Sequence, residues 1–501
     1  MKNLLTTSMI IFALFSCGCS KNFDPVLTGV LSPVDFPKTE ADFELYTLQA
    51  YKPFGSKWGY NDVAYQNMFF SPEYGHLMLF DLPSDEFNII TQFGGQWEGF
   101  SKGDYNFLRT QGKASHFEKV RYVSRMTKVI DDIAQSAIPA ARKAMFTAEA
   151  RMGRGWAMYY LLHMYGPVPV IIDPAKINTV AETDLTRPTR EFFIKSIEED
   201  LRFAADNLIK SPTQYGRFNK GIALGVLMRL YLNEKNYAKA EPVGREIMTL
   251  GYSLVTDYAS LFKESTEKNS ETIFAISVDP TAPTNGDGGG NFNAMALYCL
   301  PGDYKSTKLN GGWANPNGYF CPTWQFYDSF ESTDKRRELM IPSYTAKDGV
   351  TLRNRTNMRG PVLRKYPDES TPGADVQGND IPILRYADVL LMLAESINHN
   401  NNGPTTEAVS LVNEVRAKHG GLAGLSLPAT ASMASFDDAI LSERGWDLYF
   451  EGVRTTDLIR HGKWKSALES VGKIPGPNSL FPVPRYAIDV SSGKLIQTTG
   501  F

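Results

Sequence analysis

Four charged residues near the carboxyl end of the chain have a spacing that could support acid–base chemistry. Glu443, Asp447, Glu451 and Arg454 follow one another at intervals of four, four and three residues, which predicts that they share one face of a helix. Two carboxylates about 5–9 Å apart can hydrolyse a glycosidic bond. The same spacing also produces salt bridges between packed helices, and the arginines interleaved with these residues favour that second interpretation.

Four aromatic residues are candidate platforms for a sugar ring: Trp97, Tyr298, Trp313 and Tyr319. The C–H faces of sugars stack on Trp and Tyr, while amides and carboxylates nearby bind the hydroxyls. Trp97 lies between an amide and a carboxylate side chain, and Trp313 follows two glycines. We therefore expect both tryptophans in loops outside the helices. The alternative for each ring is burial as the anchor of a loop.

Motifs for other chemistry are absent from the sequence. No two of the six histidines stand three or four residues apart, and no Walker loop, G-x-S-x-G, H-E-x-x-H or C-x-x-C occurs. The sequence therefore predicts no metal site and no cofactor. Lys and Arg number 52 against 55 Asp and Glu, so no cationic excess indicates a nucleic-acid partner. Asp85-Glu86 is better explained as a turn or a helix cap than as a catalytic pair.

The N-terminus predicts export and lipidation. Residues 1–19 have a lysine, an apolar run too short to span a bilayer, and small residues before a cysteine. This order resembles the lipobox of bacterial lipoproteins, in which the cysteine is acylated. Cys17 and Cys19 both fit, and we favour Cys19 because a polar tether over 20–35 follows it. The remaining cysteines, Cys299 and Cys321, could be joined in an exported chain but form no disulfide framework.

Helices flank a long region without helical periodicity. The predicted helices cover 37–50, 114–136, 148–165, 189–209, 219–232, 236–250, 382–399, 404–418 and 436–450. Thr39 and Thr189 are candidate caps, and Gly166-Pro167 should end the third helix. Paired helices with small residues at their crossings are loosely similar to tetratricopeptide units. Residues from about 251 to 380 predict turns and a few short strands, such as 272–278, and a region of this length is usually functional.

Several sequence blocks, in order, resemble the SusD/RagB family of outer-membrane nutrient-binding lipoproteins. The clearest are RYADVLLMLAE from Arg385 and the block from Glu443 to Arg460 that contains FEG. The other blocks are Asp81–Glu86, Ala148–Arg151 through Tyr165–Pro169, Arg187–Thr189, Gly216–Lys220, Pro482–Pro484 and Gln497–Phe501. Together they extend over nearly the whole chain.

The resemblance implies a mainly α fold: residues 36–501 would form one SusD-like binding domain with tetratricopeptide-like hairpins and an irregular insertion. It implies a non-catalytic glycan-binding lipoprotein of the outer membrane that works with a SusC-like TonB-dependent transporter. The helical side would contact the transporter, and the glycan would bind in the irregular part. A peptide-binding member of the same family is the first alternative. A secreted glycoside hydrolase that uses Glu443 and Asp447 is the second.

Overall fold

The structure is a computed structural model of the chain, and it describes most of the residues after the predicted tether. These are residues 36–56, 69–71, 75–91, 95–110, 115–279, 293–306, 320–367, 369, 377–428 and 432–501. The predicted signal peptide and tether, with Cys17 and Cys19, lie outside the described residues. So do two of the four candidate aromatic platforms, Trp313 and Tyr319.

Helices dominate the described chain, as the sequence predicts. In chain order they are α1 (Glu40–Thr47), α2 (His76–Phe80), α3 (Gly95–Lys102), α4 (Lys119–Gln135), α5 (Ala140–Tyr165), α6 (Arg190–Asn207), α7 (Lys220–Asn233), α8 (Tyr237–Met248), α9 (Met295–Cys299), α10 (Trp324–Ser329), α11 (Tyr386–Asn400), α12 (Thr406–Lys418), α13 (Met433–Leu448), α14 (Arg454–Arg460), α15 (Trp464–Ser470) and α16 (Arg485–Val490). Short 3₁₀ segments connect several of them, the longest at Leu48–Phe54.

Local capping residues set several helix ends. Thr39 accepts a hydrogen bond from the backbone N–H of Asp42, whose carboxylate accepts one in return, so α1 begins with a capping box. Thr189 caps α6 with a single hydrogen bond, which its hydroxyl accepts from the backbone N–H of Phe192. Gly166 ends α5 with φ of 71°, a conformation that favours glycine. The start of α5 differs from the prediction: it begins at Ala140, directly after Pro139, a residue suited to a helix start.

Sequential helices α4 to α8 pack one against the next, and α11 extends the series by packing on α8, α12 and α13. Close packing requires small residues: a Cβ at Gly153 would lie 2.3 Å from the Tyr122 hydroxyl oxygen and 2.8 Å from the Ala50 carbonyl oxygen. A buried ion pair joins α5 to α6, where Arg154 donates to both carboxylate oxygens of Asp200 at 2.7 and 2.8 Å. The predicted hairpin scaffold is confirmed.

The described strands are short. They are β1 (Thr272–Ile276), β2 (Met340–Ile341), β3 (Tyr344–Thr345), β4 (Leu352–Arg353), β5 (Val362–Leu363) and β6 (Ile381–Arg385). They pair as three antiparallel two-stranded sheets, β1–β6, β2–β5 and β3–β4. The prediction of helix from residue 382 is wrong at its start, because Ile381–Arg385 pairs with β1 and α11 begins only at Tyr386.

The carboxyl-terminal charged residues do not share one helix. Helix α13 ends at Leu448, Phe450 has φ of 60°, and α14 begins at Arg454. Glu451 therefore lies in the turn between two helices. The prediction that Glu443, Asp447, Glu451 and Arg454 share one helix face is wrong, because the left-handed conformation of Phe450 is incompatible with a continuous helix through these four residues.

Candidate functional site

An aromatic cluster built from α3 and the irregular region brings together two of the predicted sugar platforms. The ring centroids of Trp97 and Tyr298 are 5.5 Å apart, with the planes tilted by 51°. Phe320 contacts both, at 6.3 Å from Trp97 and 5.9 Å from Tyr298. These residues come from three distant parts of the sequence. We call Trp97, Tyr298 and Phe320 the inner cluster.

Two members of the inner cluster lie on short helices, and all three are buried. Trp97 is in α3 and Tyr298 is in α9, so the prediction that Trp97 lies in a loop is wrong. Trp97 is 3% exposed and Tyr298 is 1% exposed. In sequence, α3 follows residues 92–94, α9 follows residues 280–292, and Phe320 follows residues 307–319. All three of those segments lie outside the described residues.

Backbone and amide hydrogen bonds fix the position of the inner cluster. The Phe320 N–H donates to the Tyr298 carbonyl at 3.2 Å. On the other side, the Phe320 and Phe450 ring centroids are 5.3 Å apart. Asn88 Nδ2 donates to the Pro322 carbonyl at 2.8 Å and to the Arg359 carbonyl at 3.2 Å. The Asn88 side chain thus joins its own segment to two segments of the irregular region.

A second group of aromatic rings, close in sequence to Tyr298 and Phe320, reaches the surface. We call Tyr304, Trp324 and Tyr344 the outer rings. They are partly exposed and pack on a small cluster around Leu300 and Met358. The Tyr304 and Tyr344 centroids are 5.1 Å apart, and Trp324 Nε1 donates to the Met358 carbonyl at 3.1 Å. These rings were not among the four candidates predicted from the sequence, although Gly302 and Asp303 directly before Tyr304 are a local signal that could have identified it.

Charged groups surround the outer rings. Asp303 accepts a hydrogen bond from the Tyr344 hydroxyl at 2.5 Å and another from Arg353 at 2.7 Å. Burial, then the bond to Asp303, raises the pKa of Tyr344 well above its ordinary value, so the hydroxyl remains a donor. The guanidinium of Arg355 lies 4.6 Å from the centre of the Trp324 ring. Rings flanked by donors and acceptors are the arrangement that binds polyhydroxylated ligands.

Glu443 and Asp447 belong to a closed ion network. Glu443 accepts from Arg336 at 2.5 Å and from Arg416 at 2.7 Å, one bond on each carboxylate oxygen. Asp447 accepts from Arg385 on one oxygen, and from Arg336 and His419 on the other. Both carboxylates have no exposed surface. The salt-bridge interpretation of these residues is therefore confirmed. Asp85 also forms an ion pair: its two carboxylate oxygens accept hydrogen bonds from Arg454 at 2.8 and 2.9 Å.

The two cysteines outside the predicted signal are free and buried. Burial raises the pKa of Cys321 to about 12 and that of Cys299 well above its ordinary value, so both stay protonated. Among the residues that the structure describes, no group of three or more His, Cys, Asp or Glu side chains could hold a metal ion.

Two family models match separate parts of the chain. A model of the SusD family matches residues 341–481. A second model, described as starch-binding and associating with the outer membrane, matches residues 105–232. SusD-like protein P2 of Formosa agariphila is 24% identical over 510 aligned residues, which cover 96% of this chain and 93% of that protein. The chain belongs to the SusD/RagB family.

Solved SusD-like structures have the same fold. A laminarin-binding SusD-like protein superposes with a TM-score of 0.76 at 23% identity, covering 93% of this chain and 100% of that one. Surface glycan-binding protein A from Bacteroides thetaiotaomicron, solved with laminarihexaose, gives a TM-score of 0.73 at 20% identity, with 91% and 98% covered. The mainly helical SusD-like fold predicted from the sequence is confirmed. In the described part of this SusD/RagB protein, no helix is both long and apolar enough to cross a membrane.

The strongest SusD/RagB sequence blocks contribute mainly to the ion network, although Phe450 of the second block also packs on Phe320 of the inner cluster. The first block supplies Arg385, Asp388 and Glu395, and the second supplies their partners in α13, the following turn and α14. Arg444 donates to Asp388 at 2.6 Å, and Arg460 donates to both oxygens of Glu395 at 2.7 and 2.9 Å. These blocks therefore stabilise the scaffold on which the irregular region is built.

Proposed function

We propose that this protein is a non-catalytic glycan-binding lipoprotein of the outer membrane, which delivers oligosaccharides to a SusC-like TonB-dependent transporter. The observation that carries the proposal is the group of partly exposed outer rings, flanked by Asp303 and Arg353, in the irregular part of a SusD-like fold. The contact between Trp97 and Tyr298 joins two of the predicted sugar platforms in the buried inner cluster. Relatives of the same fold include a laminarin-binding protein and a glycan-binding protein solved with laminarihexaose.

The inner and outer rings have different parts in this proposal. Because Trp97 and Tyr298 are at most 3% exposed, they can stack on a sugar only if neighbouring side chains move aside. The outer rings Tyr304 and Trp324 are partly exposed and can be reached with less rearrangement, although Arg355 lies over one face of the Trp324 ring. The ligand would therefore contact the outer rings directly, while Tyr298 and Phe320 of the inner cluster would anchor the chain segments that carry Tyr304 and Trp324. The predicted platforms Trp313 and Tyr319 would complete the same site.

Polar groups at the outer rings would bind the sugar hydroxyls. Asp303 and Arg353 form an ion pair at 2.7 Å and are both only partly buried. A hydroxyl pair on a sugar can donate to such a carboxylate and accept from such a guanidinium. The rings would supply apolar contact and the ion pair would supply orientation.

The non-catalytic part of the proposal is supported by the closed ion network. A glycosidase needs two carboxylates that reach the scissile bond, and Glu443 and Asp447 have no exposed surface. Both also carry cationic partners on each carboxylate oxygen. A secreted hydrolase that uses this pair would require the network to open.

Attachment to the membrane would come from acylation of Cys19, and the helical side of the scaffold would face the transporter. Family relatives are described as associating with the outer membrane. A lipid anchor would hold the protein at the surface, since each buried methylene group contributes about 0.8 kcal/mol to membrane binding.

Electrophoresis through gels that contain polysaccharide tests the function. Laminarin, starch, xylan and pectin provide a panel, and a reducing-end assay runs in parallel with each. We expect retarded migration with at least one polysaccharide and no release of reducing ends. Release of reducing ends would favour the hydrolase alternative. Binding to peptides, with no retardation by any polysaccharide, would contradict the choice of ligand.

A further inference from the structure

A second cleft lies away from the aromatic clusters, between the helical hairpins and strand β1. Its volume is about 410 Å³. Three loops line it, at 210–219, 251–252 and 267–270, together with residues 272–275 of β1. None of its lining residues belongs to the inner cluster or to the outer rings. It is therefore a different site from the one that carries the proposed function.

Two lysine–tyrosine contacts cross this cleft from loop to loop. The Lys210 ammonium lies 5.2 Å from the centre of the Tyr252 ring, and the Lys268 ammonium lies 4.5 Å from that of Tyr215. Each contact joins the first loop, which contains Lys210 and Tyr215, to one of the other two loops. Both lysines are exposed, and Tyr215 is 47% exposed. The cleft thus presents two ammonium groups beside two aromatic rings.

The two ammonium groups are the cations of the cleft that form no ion pair within the described part of the chain, although the charge of Lys268 also acts on the carboxyl groups of Glu267 and Asp380. Asp380, by contrast, accepts the Tyr215 hydroxyl at 2.5 Å and the Val278 N–H at 2.9 Å. Glu267 accepts the backbone N–H of Asp380 at 3.0 Å. Burial also raises the pKa of Glu267 to about 7, which reduces its negative charge near neutral pH.

The remaining cationic group of the cleft is already paired. Arg217 lies 3.3 Å from a carboxylate oxygen of Glu149 and 3.3 Å from one of Glu44. The positive charge of Arg217 is therefore already balanced by nearby carboxylates, unlike the charges of the two lysines. An anion that enters the cleft would meet Lys210 and Lys268 first.

Unpartnered hydroxyl and amide groups are also present. Thr272 Oγ1 is buried in the cleft wall and has no hydrogen-bond partner, which is uncommon for a buried polar atom. Ser211 and Gln214 line the cleft with exposed side chains that bond to no described residue. These groups can exchange hydrogen bonds with the hydroxyls of a ligand.

We infer that this cleft is a second binding site, which takes an acidic sugar unit that bears a carboxylate or a sulfate. The ammonium groups of Lys210 and Lys268 bind the anionic group. The faces of Tyr215 and Tyr252 pack on the sugar C–H groups, and the side chains of Thr272, Ser211 and Gln214 bind hydroxyls. A neutral sugar would use only part of this arrangement, because it would leave both ammonium groups without an anion.

Lysine footprinting locates the site directly. The protein is acetylated briefly with and without trigalacturonate, a sulfated κ-carrageenan tetrasaccharide or neutral galactotriose, and each lysine is quantified by mass spectrometry. We expect at least one acidic probe to slow the acetylation of Lys210 and Lys268. Galactotriose should leave the acetylation rate of both lysines unchanged. Trigalacturonate and the sulfated probe distinguish a carboxylate from a sulfate ligand. Absence of protection by both, or equal protection by galactotriose, would overturn the inference.

Calorimetry on charge variants provides the second readout. Lys210→Met with Lys268→Met should weaken binding of the protecting probe by about tenfold or more. Lys195→Met with Lys418→Met removes the same net charge from exposed helix positions and should leave binding unchanged. Thr272→Val should also weaken binding, and its thermal unfolding shows whether it folds. Equal affinity of the cleft variant and the wild type would overturn the inference. Because the outer rings are intact in every variant, failure here leaves polysaccharide binding at the other site intact.

Discussion

Arg385 donates to both carboxylate oxygens of Glu451, at 2.7 and 2.8 Å. This pair joins the end of β6 to the turn between α13 and α14. Arg385 also bonds to Glu271 beside β1, and Glu451 also bonds to Lys365 in the irregular region. The irregular region is therefore attached to the helical scaffold through buried charges. Its position should depend on each member of the network, because an unpaired buried charge is costly.

Glu443→Gln tests whether the network is structural. The substitution removes the charge that pairs with Arg336 and Arg416, and breaking a buried pair costs roughly 3–5 kcal/mol. We expect the free energy of unfolding, measured with denaturant, to fall by this amount while glycan affinity is unchanged. Glu331→Gln, at an exposed position, should change the free energy of unfolding by less than about 0.5 kcal/mol. A stable Glu443→Gln protein that had lost a hydrolytic activity would favour the enzyme alternative.

His419 should give the protein a pH-dependent stability. Burial alone would lower the pKa of His419, but the carboxylates of Asp447 and Glu271 outweigh it and raise the pKa to about 9. Because this exceeds the unfolded value of about 6.5, the stabilisation is complete below pH 6.5 and is lost as the pH rises through 9. Other buried groups titrate in this range, so the comparison must be made with His419→Gln.

The measurement is the difference in unfolding free energy between the wild type and His419→Gln at several pH values. We expect the wild-type advantage to narrow by roughly 2–3 kcal/mol between about pH 6 and pH 9.5. His399→Gln is a matched control, since His399 is a partly exposed histidine paired with Asp437 outside the network. A wild-type advantage that stayed constant across this range would mean that His419 is not held protonated in the folded protein.

Local signals predicted much of the scaffold. Thr39, Thr189 and Gly166 mark helix ends because a capping residue acts on its own neighbours in sequence. The errors arise where distant segments decide the conformation. Ile381–Arg385 is apolar enough for a helix, but its pairing with β1 makes it a strand.

The site was harder to predict for the same physical reason. Trp97 and Tyr298 could be selected as aromatic candidates, but their contact depends on how distant segments fold together. Trp324 has no glycine beside it that would separate it from a core aromatic, whereas Tyr304 follows Gly302 and Asp303, a signal of the kind that selected Trp97 and Trp313. Their partial exposure is set by the packing around Leu300 and Met358, which a sequence pattern does not encode.

Anchoring can be tested by replacing the two candidate cysteines separately. We expect Cys19→Ala to release the protein from membranes and Cys17→Ala to leave it attached, because the polar tether begins after Cys19. Several acyl chains hold a protein firmly, whereas a chain without them has no comparable anchor. Fractionation followed by immunoblotting measures the distribution. Release by Cys17→Ala alone would move the acylated residue to Cys17.

Replacing individual tryptophans separates the ligand-binding rings from the supporting ones. Trp324→Ala and Trp313→Ala should weaken binding of the glycan selected by the gel assay by about 2 kcal/mol or more, since each removes a stacking face. Their thermal unfolding should change much less than that of Trp97→Ala. Trp97 is 3% exposed, so its loss should cost roughly 3–5 kcal/mol of stability as in a protein core.

Trp446→Ala is the matched control for these variants. Trp446 is also only partly buried and donates to Ser329 at the end of α10, but it belongs to neither aromatic group. Its loss should leave glycan affinity unchanged in titration calorimetry. If Trp324→Ala and Trp313→Ala bound the glycan as tightly as the wild type, the ligand could not lie against the outer rings. If Trp97→Ala were fully stable and failed to bind, the inner cluster itself would be the contact surface, and its burial would have to be relieved when the glycan enters.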